Sequence, residues 1–168
     1  MRKSTALTTS EFRAQLLSSL GKLGRHETAK IAVEEIKRLL GDHITGEDRV
    51  NLFLNALSDT NELYNALQKK EFIKLYGIFC EVLEGDALPF LARIVAYLQK
   101  KLKEGDSNMH EAISSAFGNM VHNTLHTIAD LPESCHMLGT ILKPLFINFR
   151  SGSKVVQMGS SIALISII

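Results

Sequence analysis

The sequence predicts an all-α fold, a right-handed solenoid of about four helical hairpins, and three observations carry that expectation. Only three prolines, Pro89, Pro132 and Pro144, interrupt 168 residues, so long stretches lack the residue that most strongly breaks a helix. Apolar residues recur with a 3.6-residue period in eight separate segments divided by short polar breaks. Taken as pairs, the second helix of each pair is expected near Arg25, Glu62, Ser107 and Ser153, at offsets of about 37 to 46 residues, and a fixed period of that size marks a helical repeat. Each hairpin in such a repeat buries one face against its own partner helix and another against the next hairpin.

The first segment follows the cap-forming Thr9 and Ser10, sets Phe12, Leu16, Leu20 and Leu23 on one face, and stops at Gly21 and Gly24. Residues 1–9 read as a flexible lead-in and residues 10–168 as the repeat domain. The second segment runs from about Arg25 to Leu40 with Ala29, Ala32, Val33, Ile36 and Leu40 in register, and Gly41 is expected to end it. A third, from Gly46 to Ser58, aligns Val50, Phe53, Leu54 and Leu57. The polar run Ser58, Asp59, Thr60 and Asn61 offers caps for a long fourth helix carrying Phe72, Ile73, Tyr76, Phe79, Cys80 and Leu83, stopped by Gly85.

The fifth helix is expected to open at Asp86, with Pro89 in its first turn where a missing N–H matters least, and to carry Leu91, Ile94, Val95, Leu98 and Leu102. Gly105, Asp106, Ser107 and Asn108 break the chain and cap a sixth helix bearing Ile113, Ala116, Phe117, Met120 and Ile128, with Pro132 beyond its end. Leu138, Ile141, Leu142, Leu145 and Phe149 define a seventh, kinked at Pro144. Ser151, Gly152 and Ser153 introduce an eighth with Val155, Met158, Ile162 and Ile165.

Charge and motif content narrow the function. Nineteen Lys and Arg against eighteen Asp and Glu leave a net charge of +1, too little for a global field that would hold nucleic acid or an anionic membrane. Lys69 and Lys70, and Lys100, Lys101 and Lys103, have Glu71 and Glu104 beside them and no interleaved aromatics, so they read as solvated helix faces. Met1 to Thr9 has no apolar run behind its basic start, and Ile162 to Ile168 is too short to span a bilayer. Cys80 and Cys135 lie in apolar helical patterns and no Asn-x-Ser/Thr sequon occurs, which points to a reducing cytoplasmic setting.

Catalysis finds no carrier: Walker, Gly-x-Gly-x-x-Gly, Gly-x-Ser-x-Gly and paired Cys-x-x-Cys patterns are all missing. His122 and His126 stand four apart, as two zinc ligands on one helix would, but no third ligand or intervening Glu accompanies them. Cys80 falls on the apolar face with Tyr76 and Leu83, the setting of an inert core thiol. The expectation is a non-catalytic protein-binding module without metal or cofactor.

Two stretches carry a family resemblance. Leu102 to Ala112 resembles the turn that opens the second helix of a HEAT repeat, with His110 where the usual Arg stands. Leu142 to Phe146, followed by Lys154 to Leu164, is similar to the last repeats of the TOG-like domain in the plant Spiral/Tortifolia family of microtubule-associated proteins. The resemblance covers about residues 10 to 168 and implies a HEAT-type, TOG-like domain that binds tubulin or microtubules through the turns inside its hairpins. Those turns contain Lys22 and Arg25, Asp59 to Asn61, Lys103 to Asn108, and Arg150 to Lys154; the resemblance implies that the cations Lys22, Arg25, Lys103, Arg150 and Lys154 meet an acidic tubulin surface, with Asp106 and Asn108 as further partner-binding residues of the same turns. Many TOG domains place a Trp in the first such turn; this chain contains no Trp. A cytoskeletal location follows from the same resemblance.

The alternative is a general HEAT scaffold that holds another protein, or a second copy of itself, on helix faces such as Glu34 and Arg38 or Lys69 to Lys74. The aliphatic finish Ile165, Ser166, Ile167 and Ile168 lacks a cap, and a terminal repeat normally shields its outer face. The expectation is therefore a domain truncated at its C-terminal end, or self-association through the last helix.

Overall fold

A computed structural model describes residues 7–44, 46–58, 64–104, 107–124, 139, 141–143, 145–147, 153–154 and 157. Among them six α-helices of nine residues or more occur and no strand: α1 (Thr9–Gly21), α2 (His26–His43), α3 (Gly46–Ser58), α4 (Ala66–Leu83), α5 (Leu91–Lys103) and α6 (His110–Thr124). Short 3-10 helices occupy Lys22–Gly24, Glu84–Phe90 and Ser107–Met109. The all-α class is as the sequence predicts. The second helices of the first three pairs begin at His26, Ala66 and His110, 40 and 44 residues apart. The chain divides into two compact units, Met1–Phe72 and Ile73–Ile168, and the division falls inside α4.

In the first unit α1 packs on α2 and on α3. Phe12, Leu16 and Leu20 of α1, Leu23 of the 3-10 turn, Ala32, Ile36, Leu39 and Leu40 of α2, and Val50, Phe53, Leu54 and Leu57 of α3 are buried together as its core. The cap of α1 is Thr8, one residue before the expected pair, and its hydroxyl accepts from the Glu11 N–H at 3.1 Å. Arg49 of α3 donates to the Leu7 carbonyl and lies 5.5 Å from the Phe12 ring centroid, which joins the start of α1 to α3. Gly46 opens α3 at φ +77, a left-handed value that explains the glycine.

Two expected boundaries in this unit are corrected. Helix α2 runs through Gly41 to His43, because a glycine in open space costs some helix propensity but imposes no stop unless the chain turns left-handed there. Helix α4 begins at Ala66 rather than near Glu62. Asn65 and Gln68 cap each other across its first turn, Gln68 N–H to Asn65 Oδ1 at 2.9 Å and Asn65 N–H to Gln68 Oε1 at 3.1 Å. The polar run 59–61 lies outside the described residues.

In the second unit Ile73, Leu75, Tyr76, Phe79 and Cys80 of α4, the full expected stripe of α5, and Ala112, Ile113, Ala116, Phe117 and Met120 of α6 are buried, as are Ile141 and Leu145. Phe79 meets Phe90 edge to face at 6.2 Å, and Tyr76 meets Tyr97 at 5.0 Å. Pro89 is not in the first turn of α5 as expected. Glu84 turns left-handed at φ 47, the chain continues as a 3-10 helix through Phe90, and α5 opens at Leu91. Of the seventh and eighth segments, residues 139, 141–143, 145–147, 154 and 157 are helical; Ile128, Pro132, Leu138, Pro144, Phe149, Val155 and 158–168 lie outside the described residues, and with them the expected kink and the aliphatic finish.

Two glycines separate free space from close packing. A Cβ on Gly41 would meet nothing within 4 Å, whereas one on Gly77 would come within 3.0 Å of the Asn119 side chain and 3.3 Å of the Ala116 Cα on α6. Gly41→Ala is expected to stabilise the protein by about 0.5–1 kcal/mol through helix propensity. Gly77→Val is expected to destabilise it by about 1–3 kcal/mol through overpacking. Urea unfolding midpoints of the two variants, read against the parent chain, check both signs.

Candidate partner-binding turns

The first turn is built by the end of α1 and the start of α2. Helix α1 stops at Gly21, Lys22–Gly24 tighten into a 3-10 turn, and Arg25 is extended at φ −131 and ψ 135, so that its carbonyl starts the next helix. That carbonyl accepts the Ala29 N–H at 2.9 Å and the Thr28 N–H at 3.2 Å. The Thr28 hydroxyl reaches back to the Lys22 carbonyl at 2.6 Å and so closes the turn on itself.

A second set of bonds ties this turn to the start of α4. Asn65 Nδ2 donates to the Gly24 carbonyl at 3.0 Å, and the buried Gln68 side chain donates to the Leu20 carbonyl at 3.5 Å. Both acceptors belong to the last turn of α1 or the residues after it, where carbonyls have no intrahelical donor. Gly24 fits because a Cβ there would stand 3.0 Å from both amides. One amide pair therefore caps α4 and anchors the turn that carries Lys22 and Arg25.

Those two cations behave differently. Arg25 is exposed. Lys22 is exposed as well but is paired with Glu35 of α2 at 3.2 Å. The Ser19 hydroxyl donates to the same carboxylate at 3.0 Å. The Ser19 hydrogen bond, then the Lys22 ammonium, hold the Glu35 carboxyl below the usual carboxylate range, so it is ionised at neutral pH.

In the second unit the turn between α5 and α6 holds Lys103 and Asn108, both exposed. Helix α5 ends on Lys100, Lys101 and Lys103, where cations favour the negative end of the helix dipole. Lys101 is engaged locally, 3.2 Å from Glu104 and 5.7 Å from the Tyr97 ring centroid. Burial, then the Glu104 charge, push the Tyr97 phenol up to about 12. His110 stands where a HEAT repeat commonly has Arg and is buried as the first residue of α6, with Nε2 lacking a hydrogen-bond partner among the described residues, as does the Ser114 hydroxyl one turn on. It faces the core and is not part of an exposed ladder. Lys154 is exposed and helical beside Ser153, whose carbonyl accepts the Gln157 N–H at 3.0 Å. Asp106, Arg150 and the turn at 59–61 lie outside the described residues.

A family model described as TORTIFOLIA1 N-terminal matches residues 10–168. The chain belongs to that family. Three curated Arabidopsis thaliana proteins are similar to it. Microtubule-associated protein TORTIFOLIA1 is 28% identical over 157 residues, 92% of this chain and 18% of its own length. TORTIFOLIA1-like protein 2 is 27% identical over 158 residues, 94% of this chain and 19% of its own. TORTIFOLIA1-like protein 1 is 25% identical over 158 residues, 92% and 19%. The chain thus spans about a fifth of the length of these relatives.

Within this TORTIFOLIA1 N-terminal domain, Glu35, Ser19, Asn65 and Gln68 were not among the residues expected from the sequence. Asn65-x-x-Gln68 matches a capping-box spacing and could have been read; the Glu35 pairing depends on how α1 and α2 face each other and has no linear signal. No cluster of His, Cys, Asp and Glu that could hold a metal occurs among the described residues, and His122 is exposed while His126 lies outside them. Cys80 is a buried free thiol, pushed up to about 12 by burial.

Two outcomes follow. Cys80 is expected to resist maleimide at pH 8 in the folded chain and to react within minutes in urea, followed by mass spectrometry of the Cys80 peptide. Asn65→Asp is expected to keep the cap of α4, since a carboxylate still accepts the Gln68 N–H, while losing the donor to Gly24. Helix content should hold, and amide exchange in the first turn should rise by up to about tenfold, the value of one hydrogen bond. Exchange mass spectrometry on peptides covering residues 20–28 reads it.

Proposed function

We propose that the chain is a non-catalytic protein-binding module that associates with tubulin or microtubules through the turns inside its helical hairpins. Membership of the TORTIFOLIA1 N-terminal family carries the reading, because a relative matched over 92% of this chain is named a microtubule-associated protein. Arg25, Lys103 and Lys154 support the choice of turns: each is exposed at a helix end, where a cation meets an acidic surface without first being buried. Lys22 joins them as a paired cation; Asp106, Asn108 and Arg150 complete the proposed set. A cytoplasmic, cytoskeletal setting is part of the same proposal. No helix among the described residues is long and apolar enough to cross a membrane.

The scaffold reading has an observation of its own. Ile31, 60% exposed, lies one turn before the exposed Glu34 on α2, with the exposed Arg38 one turn further on. An apolar residue ringed by charge is a common centre for a protein contact. The two readings part on where a partner is lost. Reversing Lys103, Arg150 and Lys154 together to Glu is expected to weaken microtubule co-sedimentation at least about tenfold at low salt, at several tenths of a kcal/mol or more per rim charge. Unchanged pelleting of that folded variant overturns the choice of turns, and crosslinking in cell extract that maps contacts to the α2 face and recovers no tubulin favours the scaffold.

A further inference from the structure

A groove of about 430 Å³ lies between α1 and α2, lined by Ser18, Ser19 and Lys22 from the first helix and its turn and by Glu35, Arg38 and Asp42 from the second. Its donors already converge on one carboxylate. Ser19 Oγ donates to Glu35 Oε2 at 3.0 Å, and Lys22 Nζ lies 3.2 Å and 3.3 Å from the two carboxylate oxygens. The Arg38 charge also favours the ionised form. A hydroxyl and an ammonium, with a guanidinium charge in the same groove, are the kind of groups that recognise a carboxylate in a protein contact, and here the acid comes from the chain itself. The pair is not sealed: the Lys22 and Glu35 side chains are 46% and 38% exposed, so water reaches both and the bond exchanges readily.

We propose that this groove is a carboxylate-binding subsite whose occupant in the free chain is Glu35, and that an acidic side chain on a peptide segment of a protein partner displaces Glu35 from Lys22 and Ser19. The inference rests on the reading of the first turn as a partner contact and names the chemistry it selects. Asp42 in the same lining repels a continuous polyanion, so the ligand is a peptide with spaced acidic residues and not a nucleic acid. Glu35 offsets the Lys22 charge until such a ligand competes for it, which weakens binding to weakly acidic surfaces.

The parent chain, Glu35→Gln, and Glu35→Gln combined with Lys22→Ala are titrated with a fluorescent ten-residue peptide of alternating Glu and Gly, and are pelleted with microtubules in parallel. Gln retains an acceptor for Ser19, and circular dichroism checks that the hairpin persists. Glu35→Gln is expected to bind the peptide about two- to fivefold tighter, the range of an exposed ion pair, and the gain is expected to vanish when Lys22 is also removed. No gain, weaker binding, or a gain that survives without Lys22 overturns the proposal. On the unmodified chain, the Glu35 side-chain carboxyl resonance should move as peptide is added; a static resonance also overturns it. Peptide binding with no pelleting of any of the three proteins keeps the subsite and removes the microtubule reading. Pelleting that ignores Glu35→Gln, with no peptide gain, does the reverse.

Discussion

Every helix leaves backbone N–H groups at one end and carbonyls at the other without partners, and a chain of short helices accumulates such ends quickly. The first unit meets this constraint by sharing. Asn65 and Gln68 cap α4 with one part of their amides and donate to the carbonyls of Gly24 and Leu20 with the other. The turn that displays Lys22 and Arg25 owes its shape to a helix that begins some forty residues later in the chain. Hydrophobic burial brings α1, α2 and α3 together, but it is non-directional; the amide bracket decides which way the connecting backbone points.

The apolar stripes were legible in the sequence because they are strict. The buried residues of α3 and α5 are those that periodicity selects, and the bounds of α3 coincide with the expected ones, since its run of apolar residues is flanked on both sides by polar segments. The misread boundaries share a cause. Gly41, Asp86 and the run at Ser58 carry a local propensity for a helix boundary, whereas helix ends respond to what packs around them. Gly41 meets no neighbour and is carried along by α2, while the Glu84 turn defers α5 past Pro89.

For the candidate turns the sequence offered residue types and positions, and their pairing depends on the fold. A resemblance supplied the turns, and the exposure of Arg25, Lys103, Asn108 and Lys154 agrees with residues placed at helix ends. That Lys22 would be held by an acid 13 residues away was not readable, because no linear spacing links the end of one helix to the middle of the next. His110 shows the converse. It stands where a HEAT repeat usually has Arg, and the fold buries it, as it buries Ser114 one turn on.

The close fit at Gly24 separates two kinds of freedom in the history of such a domain. The letters at positions 22 and 25 can be exchanged with little consequence for the backbone, because their side chains leave a turn held elsewhere. Position 24 has less latitude: a Cβ there stands 3.0 Å from the two amides that hold the frame, and they must shift to admit it. A change at 22 or 25 therefore alters what the turn presents to a partner, whereas a change at 24 disturbs the mounting on which the turn is carried.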